Sequence, residues 1–338
     1  MDVLIVCPTG PATGNYSTSS RIADHVEACG HHPKLLSPVE AKEMMRASTT
    51  YQLVIAIHAY RSACLIGSLP HHCRLVLIFG GTDLNEASKD EEKNSAMKLM
   101  VTRSSKCIAF SGHLADGARR LWPELGDRIV TIHQSVTTQP SSEFKLADYL
   151  ERDNGFCVRS RLIALLIAGV RPVKDPLYLC DAFADAALGA SMVLVIIGPL
   201  LDHEYGCSFL KEVDRRSNVV YAGSLSLQET HASITQCFCL VNSSISEGMS
   251  AAILEAFSLE TVVIARTNPG NSYLIQNGIN GLLYESITEF TSGMQLLIED
   301  SGRKQVLIDN AKNKIASSFS HERERDSYKQ LLNSVIYK

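Results

Sequence analysis

The sequence predicts an α/β protein made of two doubly wound, Rossmann-like domains. Three observations predict this class: short β-branched apolar runs alternate with helix-like segments, the alternation stops at a polar stretch, and it then restarts. With 338 residues, 45% of them hydrophobic and 20% charged, the chain is long and apolar enough to fill two cores. We therefore expect two parallel sheets that face each other across a cleft.

The first half contains five apolar runs that predict buried strands. They cover residues 3–7, 53–57, 75–79, 107–110 and 129–132. Residues 134–158 are polar, include Pro140 and lack an apolar period, so they predict the connection between the domains.

The second half repeats the alternation with six further apolar runs. They cover residues 162–168, 193–197, 219–221, 237–241, 262–265 and 282–284. We expect an N-terminal domain over 1–150, a C-terminal domain over 151–315, and a last helix within 316–338 that crosses back to the N-terminal domain. In open sheets of this class, ligands bind outside the carboxyl ends of the strands.

Charge and composition exclude several classes of function. The net charge of −4 is spread over both signs, which argues against nucleic acid or an anionic membrane as a partner. The N-terminus has no cationic segment, and no apolar stretch approaches the ~20 residues of a membrane span, so we expect a cytoplasmic protein. The cysteines lie in apolar runs, and the Cys237 and Cys239 pair has no second pair, so we expect reduced thiols and no metal site.

The most informative motif is EGMSAAILE, which follows an apolar strand. Gly248 and Ser250 at a helix N-terminus leave backbone N–H groups that can face a diphosphate. Glu247 and Glu255 lie about 12 Å apart along such a helix, at ~1.5 Å per residue, and could hold the two ends of one elongated polar ligand. An ordinary capped helix is the alternative, although Glu255 stands among apolar residues, where an unpaired carboxylate is costly.

Two other loops follow predicted strands. The first, AGVRPVKDP, places Arg171 and Lys174 at the end of the first strand of the second half, where two cations suit a diphosphate; a solvated basic turn is the alternative. The second, GPATGNYSTSS, contains Gly10 and Gly14, which permit close approach of the backbone to a ligand. Its spacing matches neither a dinucleotide fingerprint nor a P-loop, so a nicotinamide cofactor is not expected.

Taken together, residues 160–315 resemble the glycosyl transferases group 1 domain of the retaining glycosyltransferases of family 4, which have the GT-B fold. EGMSAAILE resembles the paired glutamates of that family, GVRPVK its Arg and Lys loop, and NGINGLLY the turn that closes the domain. The resemblance implies transfer of a sugar, with retention of anomeric configuration, from a nucleotide-diphosphate sugar held by the C-terminal half. The base could be that of UDP, GDP or ADP, and no motif specifies the acceptor, which is expected against the N-terminal half.

The resemblance also implies roles for individual residues. Glu255 would bond the donor ribose hydroxyls, and Glu247 would reach hydroxyls of the transferred sugar. Arg171 and Lys174 would hold the diphosphate. His58 would be directed at the donor sugar, with a buried structural histidine as the alternative.

Backbone groups complete the implied donor site. The amides of Gly248, Met249 and Ser250 would help to bind the diphosphate, together with the loop of the other domain that carries Gly14 and Asn15. The backbone from Gly223 to Leu225 matches the place where the base lies in the family.

The chain also departs from the family pattern. The spacing from Arg171 to Lys174 is short, Pro269 replaces one glycine of a pair, and Tyr273 stands where a glutamate is frequent. No DxD sequence occurs, so metal independence is predicted. The leaving diphosphate is expected to assist deprotonation of the acceptor, with a covalent sugar on Glu247 as an alternative. A non-catalytic nucleotide-sugar-binding protein and a nucleotide-sugar epimerase of the same fold are the rival functions.

Overall fold

The computed structural model describes residues 1–7, 14–47, 51–158, 160–184, 188 and 191–336. The chain divides into one unit made of Met1–Ser135 with Phe319–Lys338, and a second made of Val136–Ser318. Each unit is built on a six-stranded sheet whose strand pairs are all parallel. The predicted class of two doubly wound α/β domains is confirmed.

The first unit has the strand order β2-β1-β3-β4-β5-β6. Its central strands are fully buried apolar runs, which pack with Phe79 and Trp122 into one core. Its strands are β1 Asp2–Val6, β2 His32–Leu36, β3 Leu53–Ile57, β4 Arg74–Ile78, β5 Lys106–Ala109 and β6 Ile129–Thr131. Its helices are α1 Gly14–Ala28, α2 Pro38–Ala47, α3 Gly81–Asn85, α4 Glu91–Arg103, α5 Gly112–Leu121 and, from the end of the chain, α14 His321–Ile336.

The sequence did not predict β2, which lies at the edge of its sheet. This strand pairs with β1 alone, contains Pro33 and is only partly buried. Proline is tolerated at an edge because one side of the strand needs no ladder hydrogen bonds. A half-exposed edge strand therefore lacks the continuous apolar run that identified the other strands.

The second unit has the strand order β12-β11-β10-β7-β8-β9. All six of its predicted strands are present, because each is a short apolar run that is mostly buried. Its strands are β7 Leu162–Ile167, β8 Met192–Ile197, β9 Val219–Gly223, β10 Cys239–Asn242, β11 Val263–Arg266 and β12 Leu282–Tyr284. Its helices are α6 Leu146–Asn154, α7 Cys180–Ala184, α8 His203–Asp214, α9 Leu227–Gln236, α10 Ala251–Ser258, α11 Pro269–Leu274, α12 Ile287–Glu299 and α13 Ser301–Ser318.

Residues 134–158, which the sequence predicted as the connection between the domains, contain helix α6. This helix buries Leu146 and Leu150, one turn apart, and its Tyr149 hydroxyl donates to the carbonyl oxygen of Ala222 at 2.9 Å. Gln236 accepts from the backbone N–H of Leu146 at 2.9 Å and so holds the start of the helix. The units divide after Ser135, whereas the sequence placed the boundary near residue 150.

The last helix, α14, packs against α1 in the first unit. Its Glu324 is buried, and its Oε2 lies 2.8 Å from Nε of Arg21. The same oxygen accepts from the backbone N–H and the hydroxyl of Ser135, at 2.8 and 2.5 Å. Glu324 therefore fixes α14 to α1 and to the residue where the chain leaves the first unit.

Candidate functional site

The carboxyl ends of β7, β10 and β11 bring three loops of the second unit together. Because β10 lies between β7 and β11 in a parallel sheet, the segments that follow these strands are neighbours. The loop after β7 carries Arg171 and Lys174, the loop after β10 carries Glu247, and Asn268 follows β11. These three loops form the candidate site.

Glu247 is the buried acidic group of this site. One carboxylate oxygen, Oε1, lies 2.6 Å from Nζ of Lys174 and accepts from the Ser244 hydroxyl at 2.7 Å and from Nδ2 of Asn242 at 3.3 Å. Burial by itself would raise the pKa of Glu247, but the Lys174 ammonium and these hydrogen bonds outweigh burial and hold the pKa below its ordinary value of 4.5. Glu247 is therefore ionised at neutral pH.

An asparagine network holds the Glu247 loop in place. Asn242 Oδ1 accepts from the backbone N–H of Ser244 at 3.1 Å and from Nδ2 of Asn271 at 2.9 Å. Asn268 caps α11 by accepting from the backbone N–H of Asn271 at 2.9 Å, and it donates to the Ser244 carbonyl oxygen, also at 2.9 Å. These four residues are absent from the predicted site, since neither their spacing nor their type marks them in the sequence.

Gly270 permits α11 to approach the Glu247 backbone. A Cβ at this position would lie 2.3 Å from the Glu247 carbonyl oxygen, far inside van der Waals contact. Position 270, next to Pro269, therefore has no room for a side chain larger than that of glycine, which the sequence pattern alone did not show.

The loop with the two cations is fixed from several sides. The Ser243 hydroxyl donates to the Lys174 carbonyl oxygen at 2.9 Å. Asp175 has a left-handed backbone, with φ of 43°, and pairs with Nη1 of Arg266 at 2.9 Å. Arg171 Nε is buried and has no hydrogen-bond partner among the described residues. A buried donor of this kind suits an anionic ligand.

The segment Gly248, Met249 and Ser250 leads into α10. Gly248 and Ser250 are buried and Met249 is half-buried. Ser250 occupies the N-cap position, but its side chain makes no capping hydrogen bond. The hydroxyl therefore does not compete with a ligand for the first N–H groups of the helix.

Glu255 lies on α10 with its side chain only 16% exposed. Buried apolar residues flank it on the helix, as the sequence predicted. Its Oε1 lies 3.9 Å from Nε2 of the buried His231 on α9. His231 was not among the predicted site residues, because a single histidine in a helix carries no motif.

The end of β9 carries the residues predicted to lie against a base. Gly223 has φ of 76° and its carbonyl oxygen accepts from the backbone N–H of Gly198 at 2.9 Å. Leu225 is half-buried just before α9. A Cβ at Gly198 would lie 2.1 Å from the Ala168 carbonyl oxygen, so the ends of β7, β8 and β9 pack closely.

His58 belongs to the first unit, where it directly follows β3 and has a left-handed backbone, with φ of 69°. Its Nδ1 lies 2.5 Å from Asp83 Oδ1, and its Nε2 lies 2.8 Å from the Thr82 hydroxyl. Asp83 Oδ2 also accepts from the backbone N–H groups of Ala59 and Gly80, both at 2.9 Å. Asp83 therefore fixes the orientation of the imidazole, with both ring nitrogens hydrogen-bonded.

Gly14 and Asn15 open helix α1, and the Asn15 carbonyl oxygen accepts from the Ser19 hydroxyl at 2.7 Å. Gly10, in the same predicted loop, lies outside the described residues. Within the described part of the chain, no three His, Cys, Asp or Glu side chains are grouped as metal ligands would be. None of the described helices combines the length and apolar character that a membrane span requires.

The chain is similar to proteins of a glycosyltransferase family. Residues 154–314 match the model of the glycosyl transferases group 1 family, and the chain belongs to that family. Along 98% of its length the chain is 33% identical to Glycosyltransferase 1 domain-containing protein 1 of Xenopus tropicalis, of which it covers 97%. Over 184 residues, 53% of this chain and 47% of the relative, it is 25% identical to UDP-Gal:alpha-D-GlcNAc-diphosphoundecaprenol alpha-1,3-galactosyltransferase of Escherichia coli.

Solved structures show the same fold. HepE of Anabaena, in complex with UDP and glucose, superposes with a TM-score of 0.78 at 15% identity, over 99% of this chain and 100% of that chain. Sucrose-phosphate synthase from Thermosynechococcus elongatus superposes with a TM-score of 0.81 at 14% identity, over 99% of each chain. The predicted family and the predicted GT-B fold are confirmed.

Proposed function

We propose that this protein transfers a sugar from a nucleotide-diphosphate sugar to an acceptor hydroxyl, with retention of anomeric configuration and without a metal ion. The observation that carries the proposal is the buried ion pair of Glu247 with Lys174, beside the unpartnered Nε of Arg171, at the carboxyl ends of β7 and β10. HepE binds UDP and glucose, and the E. coli relative is named for a UDP-Gal donor. Both relatives support a nucleotide-sugar donor.

The diphosphate is held by cations and backbone amides of the second unit. Arg171 and Lys174 supply positive charge, and the amides of Gly248, Met249 and Ser250 supply hydrogen bonds at the start of α10. Two fixed cations can stabilise the departing diphosphate, which is the work that a bound metal does in metal-dependent transferases.

The nucleoside occupies the other end of the donor site. Glu255 accepts hydrogen bonds from the ribose hydroxyls, and the backbone from Gly223 to Leu225 lies against the base. UDP, GDP and ADP are the candidate leaving groups. Besides the donor and the acceptor, the proposed reaction requires no cofactor.

Transfer breaks the bond between the anomeric carbon and the diphosphate oxygen. The electron pair stays on the diphosphate, where Arg171 and Lys174 stabilise it. The departing oxygen then takes the proton of the acceptor hydroxyl on the same face of the sugar, and the new glycosidic bond forms on that face. Glu247 holds hydroxyls of the transferred sugar.

The donor site is tested first by thermal unfolding of the purified protein with UDP, GDP, ADP and their common sugar conjugates, with and without EDTA. A ligand that binds the folded state raises the melting temperature by mass action. A shift with one nucleotide family that survives EDTA supports the donor site and its metal independence. The absence of a shift with all of them contradicts the proposal.

The two glutamates are expected to separate binding from transfer. Glu255→Ala should weaken the affinity for the donor, whereas Glu247→Ala should spare nucleotide affinity and lower the rate of transfer. Calorimetry and single-turnover hydrolysis of the identified donor measure the two effects, and NMR of the released sugar gives its anomeric configuration. Equal affinity for the intact donor in both variants and the wild type contradicts the site assignment, and an inverted product contradicts retention.

A further inference from the structure

His231 is a buried histidine that contacts two functional parts of the second unit. It lies on α9, is 1% exposed, and faces both α10 and the segment by which the chain enters this unit. Its Nδ1 accepts from the backbone N–H of Gln139 at 3.0 Å. Because Nδ1 accepts, the proton of the neutral ring is on Nε2.

That Nε2 is directed at Glu255. The distance from Nε2 to Glu255 Oε1 is 3.9 Å, and Nε2 has no hydrogen-bond partner among the described residues. A buried donor without a partner is costly, and a closing movement of about 1 Å would bring the two atoms to hydrogen-bond distance. The carboxylate is therefore the natural acceptor for this ring.

The residues next to Glu255 on α10 offer its carboxylate no polar partner. Leu254, Ala256 and Phe257 are buried and apolar. A carboxylate that binds the two adjacent hydroxyls of a ribose must be held in one rotamer, since orientation decides the strength of both bonds. One carboxylate oxygen held by His231 leaves the other oxygen to accept from the ligand.

We propose that His231 is a positioning residue that holds the Glu255 carboxylate for recognition of the donor ribose. This inference rests on the proposed donor site. Gln139 closes the other side of the ring, so the same histidine connects the segment that enters the second unit to the ribose-binding residue.

The test measures discrimination between ribose and deoxyribose. Affinities for UDP, GDP and ADP and for their 2′-deoxy and 3′-deoxy counterparts are determined by calorimetry for the wild type, His231→Leu and His231→Gln. Hydrogen bonds from ribose to a carboxylate should give the wild type a preference of about tenfold to a hundredfold for the ribonucleotide. His231→Leu should reduce this preference to within about threefold, and His231→Gln, whose amide can still donate, should restore most of it.

Gln236→Ala provides the matched control. Gln236 lies on the same helix and also holds the entering segment, by accepting from the Leu146 N–H at 2.9 Å and donating to the Phe144 carbonyl oxygen at 2.8 Å. Within the described part of the chain, Gln236 has no hydrogen bond or ion pair with Glu255, so this variant should lose stability and keep the ribose preference. A loss of preference in both variants would show a general structural effect and would overturn the specific role of His231.

A double-mutant cycle adds a second criterion. If His231 acts through Glu255, His231→Leu should cost no further affinity in a Glu255→Ala background, whereas independent effects would add. Additive losses overturn the proposal.

The outcomes for the two proposals differ. A wild type that binds no nucleoside diphosphate, or that does not prefer ribose, overturns the donor site and this inference together. A wild type that prefers ribose, with a folded His231→Leu that prefers it equally, overturns the role of His231 alone. If His231→Leu does not fold, 15N NMR of the histidines in the wild type tests the tautomer of His231 instead. The signal is assigned by its absence in His231→Gln. A proton on Nδ1 instead of Nε2 would overturn the proposed geometry.

Discussion

Two buried glutamates, one in each unit, have the same local chemistry. Glu247 pairs with Lys174 at 2.6 Å and accepts from the Ser244 hydroxyl at 2.7 Å. Glu324 pairs with Arg21 at 2.8 Å and accepts from the Ser135 hydroxyl at 2.5 Å. In both, burial would raise the pKa of the carboxyl. The Lys174 ammonium and hydrogen bonds outweigh burial at Glu247, whereas a hydrogen bond from His25, the Arg21 guanidinium and the Ser135 donors outweigh it at Glu324, so both pKa values lie below the ordinary value.

The two glutamates differ in where they lie. Glu247 stands in a loop at the carboxyl end of a central strand, between a loop with two cations and α11. Glu324 lies on α14 and fixes that helix to α1 and to Ser135. Burial and ion pairing alone therefore do not distinguish a structural glutamate such as Glu324 from a candidate-site glutamate such as Glu247. Their positions relative to the carboxyl ends of the strands do.

The largest expected effect is that of Glu324→Ala on stability. The change leaves Arg21 and the Ser135 donors without their acceptor, and breaking a buried ion pair costs about 3–5 kcal/mol. Urea unfolding followed by tryptophan fluorescence reports on the first unit, which contains the only tryptophan of the sequence, Trp122. Glu322→Ala, an exposed site on the same helix, is the control and should change little. A loss below 1 kcal/mol would show that Glu324 is no anchor.

Lys174→Met should weaken donor binding more than it weakens the fold. It removes the charge-assisted hydrogen bond that we propose from Lys174 to the diphosphate, worth about 1.5–3 kcal/mol, and leaves Glu247 without the cation it pairs with. Calorimetry with the nucleotide identified in the thermal screen measures the loss. Lys211→Met, on the exposed face of α8, controls for charge. Unchanged donor affinity in Lys174→Met would show that the Glu247–Lys174 ion pair is structural, as the Glu324–Arg21 pair is.

Gly270→Ala should disturb Glu247 without removing any of its polar partners. The added Cβ would overlap the Glu247 carbonyl oxygen, and overpacking of this kind costs about 1–3 kcal/mol. The transfer rate is expected to fall with that strain. Gly117→Ala, on α5 in the first unit, meets only the end of the Arg120 side chain at 3.8 Å and should be tolerated. Normal stability and activity of Gly270→Ala would show that this approach of α11 is not required.

Lowering the pH should give the smallest of these effects, and it should act on the stability contributed by both glutamates. Because the folded-state pKa of each glutamate is lowered, its contribution to stability is complete above the ordinary value of 4.5 and is lost as pH falls through the folded-state pKa. Denaturation measured from pH 7 to pH 3 should show this acid limb. Glu324→Gln should flatten the limb for the first unit, and an equally steep limb in that variant would show that other groups cause it.

The sequence by itself determined the two parallel sheets, the family and the main loops of the site. Eleven of the twelve strands of the described residues are short apolar runs, most of them largely buried, and EGMSAAILE and GVRPVK lie where strands end. The sequence did not predict edge strand β2 or helix α6, because partial burial weakens the apolar period in both.

Only the tertiary structure decided which residues support the site. Asn271 reaches the Glu247 loop from α11, Asn242 from the end of β10 and Ser244 from within the loop itself. His231 on α9 faces Glu255 on α10. Glu324 pairs with Arg21, which lies near the opposite end of the sequence. Such polar partners have no periodicity and no fixed spacing, because each is selected by the geometry of a buried group that needs a hydrogen bond, and that geometry exists only once the sheets have formed.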